Sequence, residues 1–256
     1  MKQGILVVNH GTADYDARIR TIDEFMLSIG DRYEEADIAC AYTDGEVRRK
    51  LREETGEKIQ NVKAAMLAMK ERGVSHLSIV TTDILEDSAH KKIREEVGTV
   101  AALFSEVKIS RPLLYADMDF ELTARAAHGA FSGLVGGDAL IVVTRGEKQA
   151  GDEELALFEK ALQKHVENSY VVSLLGERRL YKAIKELKSK EKIPERVVLI
   201  PLEFIAGESI ENDISSKYNE LSERLAEEGF IVERFFKGIG EITEFQRLFL
   251  RHLFEA

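Results

Sequence analysis

Apolar residues along the chain fall into short, nearly unbroken runs separated by stretches with helical spacing, and this alternation occurs twice. Gly4 to Val8 is the first run, suited to a buried parallel strand, and it ends in the turn-like Asn9, His10, Gly11 and Thr12. Ile19, Ile22, Phe25 and Met26 recur at helical intervals and predict a helix. Ala36 to Tyr42 reads as a second strand, and Thr43 followed by Glu46 has the form of a capping box that starts another helix. Val62, Ala65, Met66 and Met69 mark a further helical face, ending near Gly73. His76 to Val80 is the third strand; Thr81 to Glu86 then leads into a helix containing His90 and Ile93, and Leu103 to Ile109 supplies the last strand of the half.

The second half repeats the order. Ala139 to Val143 is a compact apolar strand followed by Thr144, Arg145 and Gly146, so Arg145 occupies the place that His10 holds in the first half. Leu155 to Val166 is helical, Tyr170 to Leu175 strand-like, and Leu180 to Leu187 helical again. Val197 to Ile200 forms a strand ahead of Pro201, a glycine turn at Gly207 leads into a long helix beyond Asn212, and Ile231 to Phe235 and Phe245 to Phe254 complete the half. Parallel strands need crossover connections, and covering helices bury both faces of the sheet. The expected fold is therefore α/β, with two similar three-layer lobes built on parallel sheets. The lobes cover residues 1–125 and 126–256 and meet near residues 112–137.

Composition narrows the class. A chain of 256 residues that is 44% hydrophobic and 32% charged is long enough for two cores and is neither disordered nor collagen-like. Its formal charge of -10 and lack of tryptophan argue against a nucleic-acid partner, because neither a basic surface nor a stacking platform stands out. The single cysteine, Cys40, excludes an internal disulfide and a thiolate-rich metal site. The start lacks the pattern of a secretory leader and no run approaches the roughly 20 apolar residues of a bilayer span, so a cytoplasmic location without a membrane partner is expected.

Chemistry in parallel α/β sheets gathers at the loops beyond the carboxyl ends of the strands. Four segments fall there: the turns holding His10 and Arg145, and the stretches Thr81 to His90 and Glu203 to Asn212. His10 either hydrogen-bonds its own turn or serves as a ligand or proton carrier, since imidazole titrates near neutral pH; His90, early in a helix, has the same two readings. Arg145 pairs with a structural acid or takes a substrate carboxylate. Glu203, Glu208 and Glu211 form a solvated acidic face or bind a cation and accept protons. A phosphate-binding loop and a dinucleotide fingerprint are both absent from the sequence, and Ser209 lacks the second glycine of a nucleophile elbow.

Leu6 to Thr12, Ala41 to Leu51, Arg111 to Leu114, Ala139 to Gly146, Pro201 to Asp213 and Gly238 to Glu241, taken in order across nearly the full length, resemble the anaerobic cobalt chelatases (sirohydrochlorin cobaltochelatases) of the class II chelatase superfamily. The resemblance implies a cytoplasmic lyase of cobalamin biosynthesis that inserts Co²⁺ into sirohydrochlorin, with the tetrapyrrole held in a cleft between lobes and no organic cofactor. It also exposes departures. Arg145 stands where the family places a catalytic histidine, and Ser209 where it places a metal-binding one. His10 instead matches the histidine that ends the first strand in the short chelatases, whose second histidine aligns with Ala89, one residue before His90. On this resemblance His10 is the expected catalytic group. His10, His90 and Glu86 form the metal set, and Thr12, Arg145, Glu203, Glu208 and Ser209 the substrate contacts. A homo-oligomer is left open. The alternative is a non-enzymatic tetrapyrrole or haem-binding protein with His10 or His90 as axial ligand, and a third reading is a binder of another carboxylated small molecule.

Overall fold

The computed structural model describes residues 1–147, 151–176, 179–206 and 213–255. The chain divides into two compact units, Met1–Leu113 with Gln246–Ala256, and Leu114–Phe245.

The first unit runs β1 (Lys2–Asn9), α1 (Tyr15–Arg18), a π-helical turn (Ile19–Asp23), α2 (Glu24–Arg32), β2 (Asp37–Tyr42), α3 (Gly45–Glu54), α4 (Val62–Glu71), β3 (Val74–Thr81), α5 (Ser88–Gly98), a short 3-10 turn (Ala101–Leu103) and β4 (Glu106–Ile109). Its strands form one parallel sheet in the order β2-β1-β3-β4. Leu6 and Val8 of β1 join Val62, Ala65, Met66 and Met69 of α4 and Ile93 and Val97 of α5 in one core. Ile5 and Val7, which strand alternation points the other way, are buried too, as are Ile22, Phe25 and Ile29. A sheet covered on both faces explains the unbroken apolar run, and each large side chain so buried contributes about 1.5–3 kcal/mol.

The second unit contains α6 (Asp117–Val135), β5 (Ala139–Thr144), α7 (Asp152–Gln163), β6 (Ser169–Ser173), α8 (Leu180–Lys188), β7 (Arg196–Pro201), α9 (Asp213–Glu227), β8 (Ile231–Arg234), a 3-10 turn (Ile239–Glu241) and the start of α10 (Thr243–Phe254). Its sheet repeats the first in the order β6-β5-β7-β8, again parallel throughout. Ile141 and Val143 of β5 share a core with Ala183, Ile184 and Leu187 of α8 and Tyr218 and Leu225 of α9.

The two α/β lobes with parallel sheets expected from the sequence are present, but the division between units runs elsewhere. A cut at 125/126 falls inside α6, and residues 246–255 belong with the first unit. There Phe249 meets Phe25 edge-on with ring centroids 6.3 Å apart, Phe254 lies 5.6 Å from Tyr33, and Glu255 pairs with Arg111. Two local expectations are also corrected. Leu103 belongs to the 3-10 turn, and β4 begins at Glu106. The cap of α3 is Asp44 rather than Thr43, because the Asp44 carboxylate accepts from the backbone N–H groups of Glu46 and Val47. Among the described residues no helix is long and apolar enough to cross a membrane.

Candidate functional site

The turn after β1 is held by the strands on either side of it. The carbonyls of Asn9 and His10 accept from the N–H groups of Thr43 (2.9 Å) and Asp44 (3.1 Å) beyond β2, and the Val8 carbonyl accepts from Thr82 (3.0 Å) beyond β3. Gly11 has φ +96°, and a Cβ there would stand 2.4 Å from Cδ2 of the buried Tyr42 ring, so the turn requires glycine on both counts. The His10 side chain leaves this turn half exposed, with Nε2 3.0 Å from Asp44 Oδ2. Asp44 is thereby divided between two tasks: Oδ1 caps α3 and Oδ2 orients an imidazole.

A second imidazole lies at the end of the neighbouring strand. Asp83 follows β3, and α5 is capped by Asp87, whose Oδ1 accepts from the N–H groups of Ala89 and His90 at 3.0 Å each. The cap places His90 in the first turn of α5, 1% exposed, with Nδ1 2.9 Å from Asp83 Oδ2. Burial pushes the Asp83 carboxyl above its ordinary range, while the hydrogen bond and charge of His90 and the charge of His10 pull it back. Asp83 thus feels both imidazoles. In the tautomer that donates from Nδ1, His90 carries its lone pair on Nε2, the orientation that carboxylate partners impose on histidines that bind protons or metals.

The other expected residues divide sharply. Glu86 pairs with Arg94 at 3.6 Å across the start of α5. Thr12 is buried, and its Oγ1 accepts from the Asp14 N–H at 3.0 Å, next to the Asp14 cap of α1. Burial pushes the Cys40 thiol up to about 12, against a hydrogen bond donated by Asn9 Nδ2, and so favours the protonated form. Among the described residues no group of three or more His, Cys, Asp or Glu side chains is arranged to hold a metal ion.

The second unit repeats this scaffold with other side chains. The carbonyls of Thr144 and Arg145 accept from Leu174 and Leu175 (2.9 Å each), and that of Val143 from Leu202 (2.7 Å). Gly146, at φ +61°, would bring a Cβ to 2.7 Å from Ser173 Cβ. Arg145 is exposed at the place of His10, and Glu203 stands at the place of Asp83. Glu203 Oε1 accepts from the Arg145 N–H at 2.6 Å and from Thr144 Oγ1 at 3.1 Å. Glu208, Ser209 and Glu211 lie outside the described residues. Sequence reasoning located both turns but missed Asp44 and Asp83 as imidazole partners. The signal available for them was an acidic residue just beyond the carboxyl ends of β2 and β3.

Known proteins share this fold at low identity. SirB from Bacillus subtilis, solved with Fe³⁺, superposes with a TM-score of 0.72 at 16% identity, covering 100% of this chain and 95% of SirB. The sirohydrochlorin chelatase SirB from Bacillus subtilis subspecies spizizenii, in complex with cobalt, gives 0.67 at 15% identity over 100% and 95% of the two chains. At these identities the likeness establishes the fold. The sirohydrochlorin cobaltochelatase of Salmonella typhimurium is 23% identical over 257 residues, spanning 100% of this chain and 97% of that protein. The family model described as cobalt chelatase (CbiK) matches residues 3–256, and the chain belongs to that family of the class II chelatases.

Proposed function

We propose that the protein is a metal chelatase of the lyase type that inserts a divalent ion, cobalt, into sirohydrochlorin for cobalamin synthesis, using the strand ends of its first unit. The observation that carries this reading is the pair of carboxylate-backed imidazoles, His10 with Asp44 and His90 with Asp83. Insertion exchanges two pyrrolic protons for one M²⁺, so the site must deliver an ion and remove two protons. His10, the more exposed imidazole, receives the ion at Nδ1 while Asp44 holds Nε2. His90 accepts the first proton at Nε2, and Asp83 stabilises the resulting imidazolium. Once the ion has passed to the ring, His10 is released to take the second proton. The macrocycle supplies four nitrogen donors, so a preformed protein cage of three ligands is unnecessary. Arg145, with a permanent charge and a planar fork of donors, anchors a peripheral carboxylate of the substrate.

The test is Co²⁺ insertion into sirohydrochlorin followed by absorption. His10→Ala should lower kcat by about 10²-fold, the range of a lost general base. Arg145→Ala should chiefly raise KM, by roughly tenfold, the weight of a charged hydrogen bond. Turnover unchanged in a folded His10→Ala protein removes His10 from the mechanism. Tight tetrapyrrole binding without insertion of Co²⁺, Ni²⁺ or Fe²⁺ would instead favour the non-enzymatic binding reading.

A further inference from the structure

The carboxylates that follow β3 and β7 occupy equivalent positions and point to different work. Thr82 and Leu202 donate to the carbonyls of Val8 and Val143, so Asp83 and Glu203 begin from the same backbone place. Their own carbonyls are also held alike, by the N–H groups of Leu113 and Ile239 at 2.9 Å each. The shorter side chain, Asp83, meets His90 of its following helix. Glu203, one methylene longer, reaches across to the neighbouring turn and accepts from the Arg145 N–H and Thr144 Oγ1. With Leu175 donating to the Arg145 carbonyl, the backbone of Arg145 is held from β6 on one side and from β7 on the other.

We propose that Glu203 is a positioning residue: it fixes the backbone from which the Arg145 guanidinium projects and acts on the substrate only through that group, which rests on reading Arg145 as the carboxylate anchor. A charged acceptor at 2.6 Å from a backbone N–H is a strong restraint on the turn. A glutamine at 203 keeps an Oε1 acceptor and loses the charge, whereas leucine loses both. The two variants therefore separate positioning from acid–base or metal chemistry.

The experiment combines amide hydrogen exchange on the ligand-free protein with sirohydrochlorin titration of Glu203→Leu, Glu203→Gln, Arg145→Ala and the Arg145→Ala/Glu203→Leu double variant. In Glu203→Leu the Arg145 amide should exchange at least about tenfold faster, while the Leu202 amide, bonded to Val143 within the sheet, stays protected and reports an intact fold. Sirohydrochlorin affinity should fall about fivefold to tenfold, be rescued by Glu203→Gln, and fall no further when Glu203→Leu is added to Arg145→Ala. An Arg145 amide indifferent to Glu203→Leu overturns the positioning role. So does a Glu203→Gln loss equal to that of Glu203→Leu and persisting in the Arg145→Ala background, which would mean that Glu203 meets substrate or metal directly. Arg145→Ala leaving sirohydrochlorin affinity unchanged would overturn the anchor reading, and with it the functional half of the proposal, even with the amide result as expected.

Discussion

The turn that ends β1 and the turn that ends β5 are built from the same backbone hydrogen bonds and carry different side chains at the tip. In each, two carbonyls accept from the segment beyond the adjacent edge strand, one accepts from beyond the other neighbour, and a left-handed glycine closes the bend. The first turn presents an imidazole steadied by Asp44; the second presents a guanidinium whose own N–H is taken by Glu203. The scaffold repeats because main-chain bonds and a positive-φ glycine set the turn, while the side chain at the tip makes none of those bonds and differs between the two. An imidazole exchanges protons near neutral pH and an arginine does not, so the proposed mechanism assigns proton and metal chemistry to the first unit and charge recognition to the second.

The largest expected break in that comparison is steric. A Cβ at residue 11 would meet the ring of Tyr42, a fully buried side chain packed from all sides, whereas one at residue 146 meets the Cβ of Ser173. Both positions also carry the cost of a positive φ. Gly11→Ala should therefore destabilise by about 3 kcal/mol or more, and Gly146→Ala by about 1–2 kcal/mol. Chemical denaturation of the two variants would measure the difference. Equal effects would mean that Tyr42 yields as readily as Ser173 and that the first turn is less rigid than its packing implies.

How much of this was legible in the sequence follows from which interactions are local. The apolar run of each strand announces itself within a few residues, and His10 and Arg145 were placed because each directly follows such a run. Helix α6 was missed because Ala124, Ala126, Ala127, Gly129 and Ala130 blur the contrast between its faces, although Phe120, Phe131 and Val135 are buried along it. The return of residues 246–255 to the first unit depends on Phe25 and Arg111, more than a hundred residues away. The imidazole partners were hidden for a related reason. Asp44 comes from beyond β2 and Asp83 from beyond β3, and only the strand order β2-β1-β3 places both beside the end of β1. Glu86 looked suitable because it is near His90 in sequence, and its pairing with Arg94 is a contact along one helix start that spacing alone did not flag.

A smaller effect concerns the opposite end of the sheets, where each unit gathers charges around an arginine. In the first, Arg72 makes a fork of hydrogen bonds to Asp37, with Lys2 at 2.8 Å; in the second, Arg196 joins Asp138 and Glu233. The Arg72 hydrogen bonds, with help from Lys2 and against some desolvation, hold the Asp37 carboxyl down at about 2. A depressed folded-state value means that the pair stabilises fully above the unfolded carboxylate range near 4, and that this contribution is lost as pH falls toward 2. Asp37→Asn should cost about 1 kcal/mol at neutral pH, after allowance for solvent screening, and should flatten stability between pH 4 and 2. An unchanged acid limb in pH-dependent denaturation would show that the cluster contributes nothing net.

The smallest expected shift in stability is the one that best separates the two carboxylates beyond β3 and β7. Asp83 is raised chiefly by burial, with His90 and His10 opposing that rise and Asp87 adding to it. The sign is the reverse of Asp37. A raised folded-state value means that ionised Asp83 is worse off in the folded protein than in the unfolded chain, so its ionisation costs stability as pH rises from the unfolded range toward the folded value and beyond. Asp83→Asn keeps the shape and a hydrogen-bonding group beside His90 Nδ1 but cannot ionise, so its melting temperature at neutral pH should equal or exceed that of the wild type. Insertion should nevertheless slow, because the amide cannot stabilise a His90 imidazolium. Glu203→Leu offers the contrast, since removing an acceptor from the Arg145 N–H should lower the melting temperature. A stability gain at Asp83 paired with a loss of turnover would mark that carboxylate as retained for chemistry, and a fall in melting temperature at Asp83 like that at Glu203 would show that both are structural clamps.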